Sequence, residues 1–234
     1  VLVTSVMYGN SSWGTLQAGD VLMKAGGYSI ANNGTIRYMG KHRTLFSAIM
    51  HDYHIGESLE VEILRDGEVL TKALSLRPIR YLLPRSQYNS HPSYFVFGGL
   101  VFQQLTRDFL ATWDNWSQKA PSQFVKLYYR GYPTEERQEV VIVSHILADE
   151  NNVGYEDYTN EIIDAVNGTP VRDMAHLVEL VESITEGYVE FRTNYNELLV
   201  LDVVSSREAN PAILKRYRVT SDRSPDLEPN QLTH

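Results

Sequence analysis

One block of this sequence occurs twice, and the duplication limits the folds open to the chain more than any other feature. VLVTSV, residues 1–6, leads through a loop to GDVLMKAGGYSI; VIVSHI, residues 141–146, leads through a loop to NEIIDAVNGTPV. Asp20 to Ile30 aligns with Glu161 to Val171 at an offset of 141 residues, and the strands before them align at 140, so the connecting loops differ by one residue. Each copy continues into a segment with apolar residues at helical spacing, TLFSAIMHDY in the first and MAHLVELVESI in the second, where Met174, Leu177, Val178, Val181 and Ile184 form one stripe. A hairpin follows each helix: LEVEILRDGEVLTKALSL turns at Asp66-Gly67, and YVEFRTNYNELLVLDVV turns near Asn194 to Asn196. Strand, loop, strand, turn, helix and hairpin therefore recur in one order. This predicts an α+β chain of two small domains, each a partly closed, mostly antiparallel β-sandwich or barrel capped by a helix.

The pattern sets the boundaries. The first domain runs over 1–79, with an insertion, ANNGTIRYMGKH, between strand and helix. RPIRYLLPRSQYNSHP has three prolines and little periodicity, which predicts a linker over 80–91. The second domain runs over 92–205 and carries a helical insertion at 106–139, with Thr106 and Ser117 or Ser122 available as helix caps. The tail, 206–234, holds one short helix, ANPAILKRY, and then loses apolar content; SDRSPDLEPNQLTH is expected to be mobile.

Composition narrows the partners. A net charge of −8 and the absence of any basic run disfavour nucleic acid, whose binding depends on Lys and Arg displacing counterions. No apolar stretch approaches the roughly 20 residues that span a bilayer. There is no cysteine, which excludes disulfides, zinc–thiolate sites and thiol catalysis and leaves the compartment open.

The order of elements resembles the permuted PDZ domains of HtrA/Deg serine proteases. GDVLMKAGGYSI is similar to their Gly-Asp-hydrophobic-hydrophobic signature, and EIIDAVNGTPV to its Val-Asn-Gly version. IANNGTI, PSYFVFGGLVFQQLT, VSHILADENNVGYE and AVNGTPVRDMAHLVELVE resemble, in order, the plant-type Deg subgroup with a divergent second PDZ domain. The resemblance implies a non-catalytic region of a serine endopeptidase that binds peptides or unfolded polypeptides by strand addition and regulates the protease and its homo-oligomer, in a bacterial envelope or an organelle such as the plastid. It also implies that the protease domain, and the first copy's own carboxylate loop and first strand, lie upstream of Val1. A second reading is a purely structural assembly module with occluded grooves.

In such domains a Gly-Leu-x-Phe loop holds a peptide's terminal carboxylate with backbone N–H groups. Here GLVF occurs once, so the resemblance assigns peptide binding to Gly98, Gly99, Leu100, Val101 and Phe102, with Met174 and Val178 on the helix as the facing wall. The same glycines also fit a bulge, and the two helix residues also fit simple core packing. Tyr94, Phe95 and Phe97 are large enough to fill the cleft themselves.

Other chemistries find little support. GNSSWG, residues 9–14, shares Gly-Asn-Ser with the nucleophile turn of chymotrypsin-like proteases, but Ser12 and Trp13 stand where that turn has glycines and no His precedes Ser11. His51 and His54 in HDYH are two metal ligands where zinc needs three or four. Glu135-Glu136 and Glu156-Asp157 lack the apolar surroundings that raise a carboxyl pKa. No metal, cofactor or catalytic residue is therefore expected. The large share of tyrosine suits a protein-contact surface as well as local packing.

Overall fold

The computed structural model describes residues 1–40, 42–88 and 90–228. The chain forms two compact units, Val1–Arg80 and Tyr81 onward.

The first unit contains β1 (Val21–Ala25), β2 (Tyr28–Ser29), β3 (Thr35–Tyr38), β4 (His42–Leu45), a 3₁₀ helix (Phe46–Asp52), β5 (Ser58–Arg65) and β6 (Glu68–Ser75). Its main sheet is antiparallel in the order β2-β1-β5-β6. The inserted segment supplies β3, which pairs with β4 at and just beyond its end in a separate hairpin. Before β1, Leu2 bridges Val21, and Val3 donates to the Asp20 carbonyl. Apolar residues at alternate positions of β5, namely Leu59, Val61 and Ile63, point into one core with Leu22, Ala25, Ile36 and Ile49. The segment expected as an amphipathic α-helix is the 3₁₀ helix. Only Ile49 on it is buried and no side chain caps its start, so a single anchor holds it and a regular α-helix gains little there.

The second unit contains β7 (Tyr94–Phe97), β8 (Leu100–Gln104), α1 (Arg107–Leu110), α2 (Trp116–Lys119), α3 (Ser122–Arg130), β9 (Val141–Ile146), β10 (Glu161–Val166), β11 (Thr169–Pro170), α4 (Met174–Ser183), β12 (Tyr188–Thr193), β13 (Leu198–Asp202) and α5 (Val203–Tyr217). Its sheet follows β13-β12-β10-β9-β8-β7, with β11 beside β10. One face packs on α4, burying Met174, Leu177, Val178 and Val181 with Phe102, Phe191 and Leu199. The Asp173 carboxylate caps α4 by accepting from the His176 N–H. The opposite side carries the helical insertion, whose Phe124 and Leu110 pack on Ile142 and Ile162. Thr106 caps α1, whereas Asn115 and Pro121, not Ser117 or Ser122, precede α2 and α3.

The two copies share backbone detail that side-chain pattern alone does not encode. Each has a β-bulge at the same place, between Leu22 and Lys24 in β1 and between Ile163 and Ala165 in β10. Beyond the hairpin, Ile30 donates to Met23 O at 2.7 Å and Val171 donates to Asp164 O at 2.9 Å. The hairpin turns match too: Gly26 donates to Glu60 O and Asn167 to Glu190 O, both at 2.9 Å.

Three expectations are corrected. The main sheets are open, with distinct terminal strands, and are not partly closed. The linker expected over 80–91 is packed along its first part, where Leu82 and Leu83 bury against the helical insertion and Arg85 stacks over Tyr81 and Tyr128. The tail is structured through Glu228. Asp202 caps a 15-residue α5 that runs through Pro211, and a 3₁₀ turn at Pro225–Leu227 buries Leu227. The mobility expected of the last residues, 229–234, concerns positions outside the described residues.

Candidate strand-addition site

The glycines assigned to carboxylate capture form the turn between β7 and β8. Phe97 pairs with Leu100, which leaves a two-residue loop of Gly98 and Gly99 with φ of +56° and +87°. Positive φ at both positions matches the right-handed twist of the flanking strands and excludes most other residues. The turn is clasped from outside. Leu147 N–H donates to Gly99 O at 2.7 Å, and the buried Asn152 amide donates to Gly98 O and Leu147 O, both at 2.8 Å. A Cβ on Gly99 would collide with Asn152 and the Leu147 carbonyl, and one on Gly98 would meet Leu201 and Ser206.

The strand after the turn has no free edge. β8 pairs with β9 on one side and with β7, from Phe97–Leu100 to Tyr94–Gln103, on the other. A guest strand beside β8 would have to lie where β7 lies. Phe95 and Phe97 are 2% and 4% exposed and stack on each other, Phe95 also stacks on Phe102, and all share one core with Met174 and Val178. Leu100, Phe102, Met174 and Val178 are themselves buried, and Val101 is half-buried. The expected groove walls are thus core residues, closed over by the aromatics of β7.

The outer edge of β7 is occupied as well. Arg223 bridges Phe95; Val96 N–H donates to Asp222 O at 2.6 Å, and Ser224 N–H to Tyr94 O at 3.0 Å. Tyr94 N–H donates to the Ser224 hydroxyl, and the Asn210 amide donates to Val96 O at 3.1 Å. Arg223 anchors this short tail strand through Glu182 at 2.7 Å, Asp222 at 2.9 Å and the face of Phe95. Burial works against its charge, but the two carboxylates more than offset this and hold the guanidinium pKa above its ordinary value. Burial, reinforced by Asp222, raises the Tyr94 phenol.

At the far end of the sheet one hydroxyl does the equivalent job. Tyr155 Oη accepts from Val200 N–H at 2.9 Å and donates to Val200 O at 3.1 Å, blocking the outer edge of β13. Sequence reasoning missed Tyr155, Asn210 and Ser224, because nothing local marks a side chain that bonds to a strand far away in sequence. Beside the tail strand remains a cavity of about 470 Å³ lined by Phe97, Val181, Leu214, Arg207 and Arg223. Arg207 is turned to the C-terminal carbonyls of α4, donating to Val181, Glu182 and Ile184.

The remaining polar motifs have structural partners. Ser11 Oγ accepts from Arg77 N–H at 2.9 Å, and Asn10 accepts from Arg80 N–H at 2.9 Å, so GNSSWG ties its loop to the segment after β6. His51 and His54 are exposed, with His54 beside Glu57. Among the described residues no helix is long and apolar enough to cross a membrane.

Comparison with known proteins agrees with this geometry. A PDZ domain family model matches residues 83–226. The chain is 30% identical over 216 residues to "Putative protease Do-like 3, mitochondrial" of Arabidopsis thaliana, covering 92% of this chain and 37% of that protein. It is 30% identical over 230 residues to "Protease Do-like 2, chloroplastic" of the same plant (97% and 37%). To the "Serine protease DegP homolog" of Plasmodium falciparum it is 26% identical over 167 residues (71% and 18%). The chain spans less than half the length of these relatives.

Proposed function

Because this chain belongs to the PDZ domain family and matches a stretch of Do-like proteases over most of its length, we propose that it serves a longer serine endopeptidase as a non-catalytic regulatory and assembly region. In this reading Gly98, Gly99, Leu100, Val101, Phe102, Met174 and Val178 belong to a peptide slot that the protein fills from within. Proteolysis belongs to the longer protein. The pairing of β7 with Leu100–Gln103 of β8 carries the reading, since it occupies the backbone groups that a bound peptide would use.

Affinity for C-terminal peptides tests it. A panel of peptides with free and amidated C-termini, titrated into the 234-residue chain by fluorescence anisotropy, is expected to show no carboxylate-dependent binding below about 1 mM. Micromolar binding that disappears on amidation, and that displaces β7 as read by amide exchange at Phe95 and Phe102, which face each other across the two strands, overturns the filled slot in favour of peptide capture.

A further inference from the structure

The terminal edges of the two main sheets are not treated alike. β7 is covered by residues 222–224 and Asn210, β13 is plugged by Tyr155, and β2 is only two residues long. These are recognised ways to stop a sheet edge from recruiting another strand. Among the described residues β6 has none of them. It is eight residues long, pairs with β5 through eight consecutive partners without a bulge, and contains no proline.

The hairpin geometry shows what this edge offers. Arg65 pairs with Glu68 across the two-residue turn Asp66-Gly67, whose φ values are +52° and +84°. In that arrangement the even-numbered residues of β6 exchange hydrogen bonds with β5. The bond from Leu76 N–H to Glu57 O, in the same register, has the phase this requires. The N–H and C=O groups of Val69, Thr71, Ala73 and Ser75 therefore point away from the sheet. All four side chains are exposed, small to medium in size and uncharged.

We infer that β6 is a homodimer interface, on which a second copy of this chain pairs antiparallel, β6 to β6, about a two-fold axis through Thr71. Two registers keep the outward groups in phase over seven residues, centred on Thr71 or on Lys72. The second sets Lys72 against its own copy, a destabilising like-charge contact. The first sets Thr71 against Thr71 and Val69 against Ala73, and places each Glu68 diagonal to the other copy's Lys72 on the same face, within reach of long side chains of opposite charge. A partner of this sequence thus complements the edge in both register and charge, and joins the two four-stranded sheets into one of eight. The inference concerns the first unit and does not rest on the filled slot of the second.

The chain has no cysteine, so a single introduced thiol reports the register directly. Opposed residues of a hydrogen-bonded antiparallel pair lie about 5.5 Å apart at Cα, within disulfide range. Thr71→Cys under mild oxidation is expected to crosslink the full chain to a dimer at least tenfold faster than Val69→Cys or Glu68→Cys. In sedimentation, the 26.7 kDa chain is expected to show a concentration-dependent dimer that Thr71→Lys weakens at least tenfold while leaving its circular dichroism unchanged. A chain that stays monomeric to about 200 μM, well above the micromolar range of a modest interface, overturns the inference. So does a dimer indifferent to Thr71→Lys, or equal crosslinking at positions 68, 69 and 71.

Discussion

Arg65 grips Asp20 with two hydrogen bonds, Nε to Oδ1 at 2.7 Å and Nη2 to Oδ2 at 2.8 Å, at a point where the carboxylate has no exposure to solvent. Gln17 N–H adds a third bond to the same group. The Arg65 guanidinium, opposed by burial and helped by Gln17, holds the Asp20 carboxyl below its ordinary range. In the second copy the aligned acid is Glu161, and the position of Arg65 falls to the exposed Tyr195. Burial, with Glu197 nearby, raises the Glu161 carboxyl, and its Oε2 is buried without a hydrogen bond.

Arg65→Met leaves the Asp20 carboxylate buried without its cation. It should destabilise the 1–80 unit, read as accelerated amide exchange across β1 and β5 in urea. Since the folded pKa of Asp20 lies below the unfolded one, the pair's contribution is complete above about pH 4 and is lost as pH falls through the depressed value. Acid unfolding of the 1–80 unit should therefore be shallower in Asp20→Asn than in wild type; identical acid transitions would remove the pair from the account.

Glu161→Gln should stabilise the second unit near pH 7, by less than about 1 kcal/mol because the group keeps partial contact with water. Here the sign is opposite. A raised folded pKa imposes a penalty above that pKa, and the penalty disappears as pH falls toward about 4. The gain should fade over that window in urea melts taken at several pH values.

Gly99→Ala should be among the most damaging single changes in the second unit. It forces a non-glycine residue to φ +87° and drives its Cβ into Asn152 and the Leu147 backbone. A loss of roughly 3 kcal/mol or more is expected in chemical denaturation. Gly67→Ala, with φ +84° but open space around the added carbon, should cost clearly less.

Tyr155→Phe should strip the plug from β13. Losing both bonds to Val200 is expected to cost about 1–2 kcal/mol and to speed exchange of the Val200 amide, with little change at Val96 on the opposite edge. Equal acceleration at both edges would mean that Tyr155 acts on the whole sheet.

A chain ending at Tyr217 should uncover Tyr94, Phe95 and Val96, since residues 222–224 are their partners. Increased binding of a hydrophobic dye and faster aggregation are expected. Ser224→Ala, which removes the hydroxyl bonded to Tyr94 N–H, should show a weaker form of the same effect.

Much of this was legible in the sequence wherever the signal was local or periodic. The repeat located β1 and β10, the Asp66-Gly67 pair located its turn, and the Met174–Val181 stripe located α4 and its buried face. The bulk of Phe95 and Phe97 gave notice that the cleft could be filled from within. What stayed hidden depends on partners distant in the chain. The ANNGTIRYMGKH insertion holds β3, which pairs with β4 at and just beyond its end through cross-strand bonding that its polar residues do not advertise. Pro211 obscured a helix whose anchors, Val203 and Ile213, lie on either side of it. Ser224 and Leu227 became structural only through β7 and α4, which lie far before them.

The bulge common to β1 and β10 bears on how the two halves have drifted apart. The main-chain kink and its flanking bonds are present in both halves, whereas the ionic partnership next to them is present in the first, so the halves differ in side-chain chemistry while sharing the path of the polypeptide. Exchanging residues 20–30 and 161–171 between the halves should accordingly graft without a backbone clash. Each transplanted acid would then inherit the electrostatic fortune of its new home, neutralised in the first half and stranded in the second.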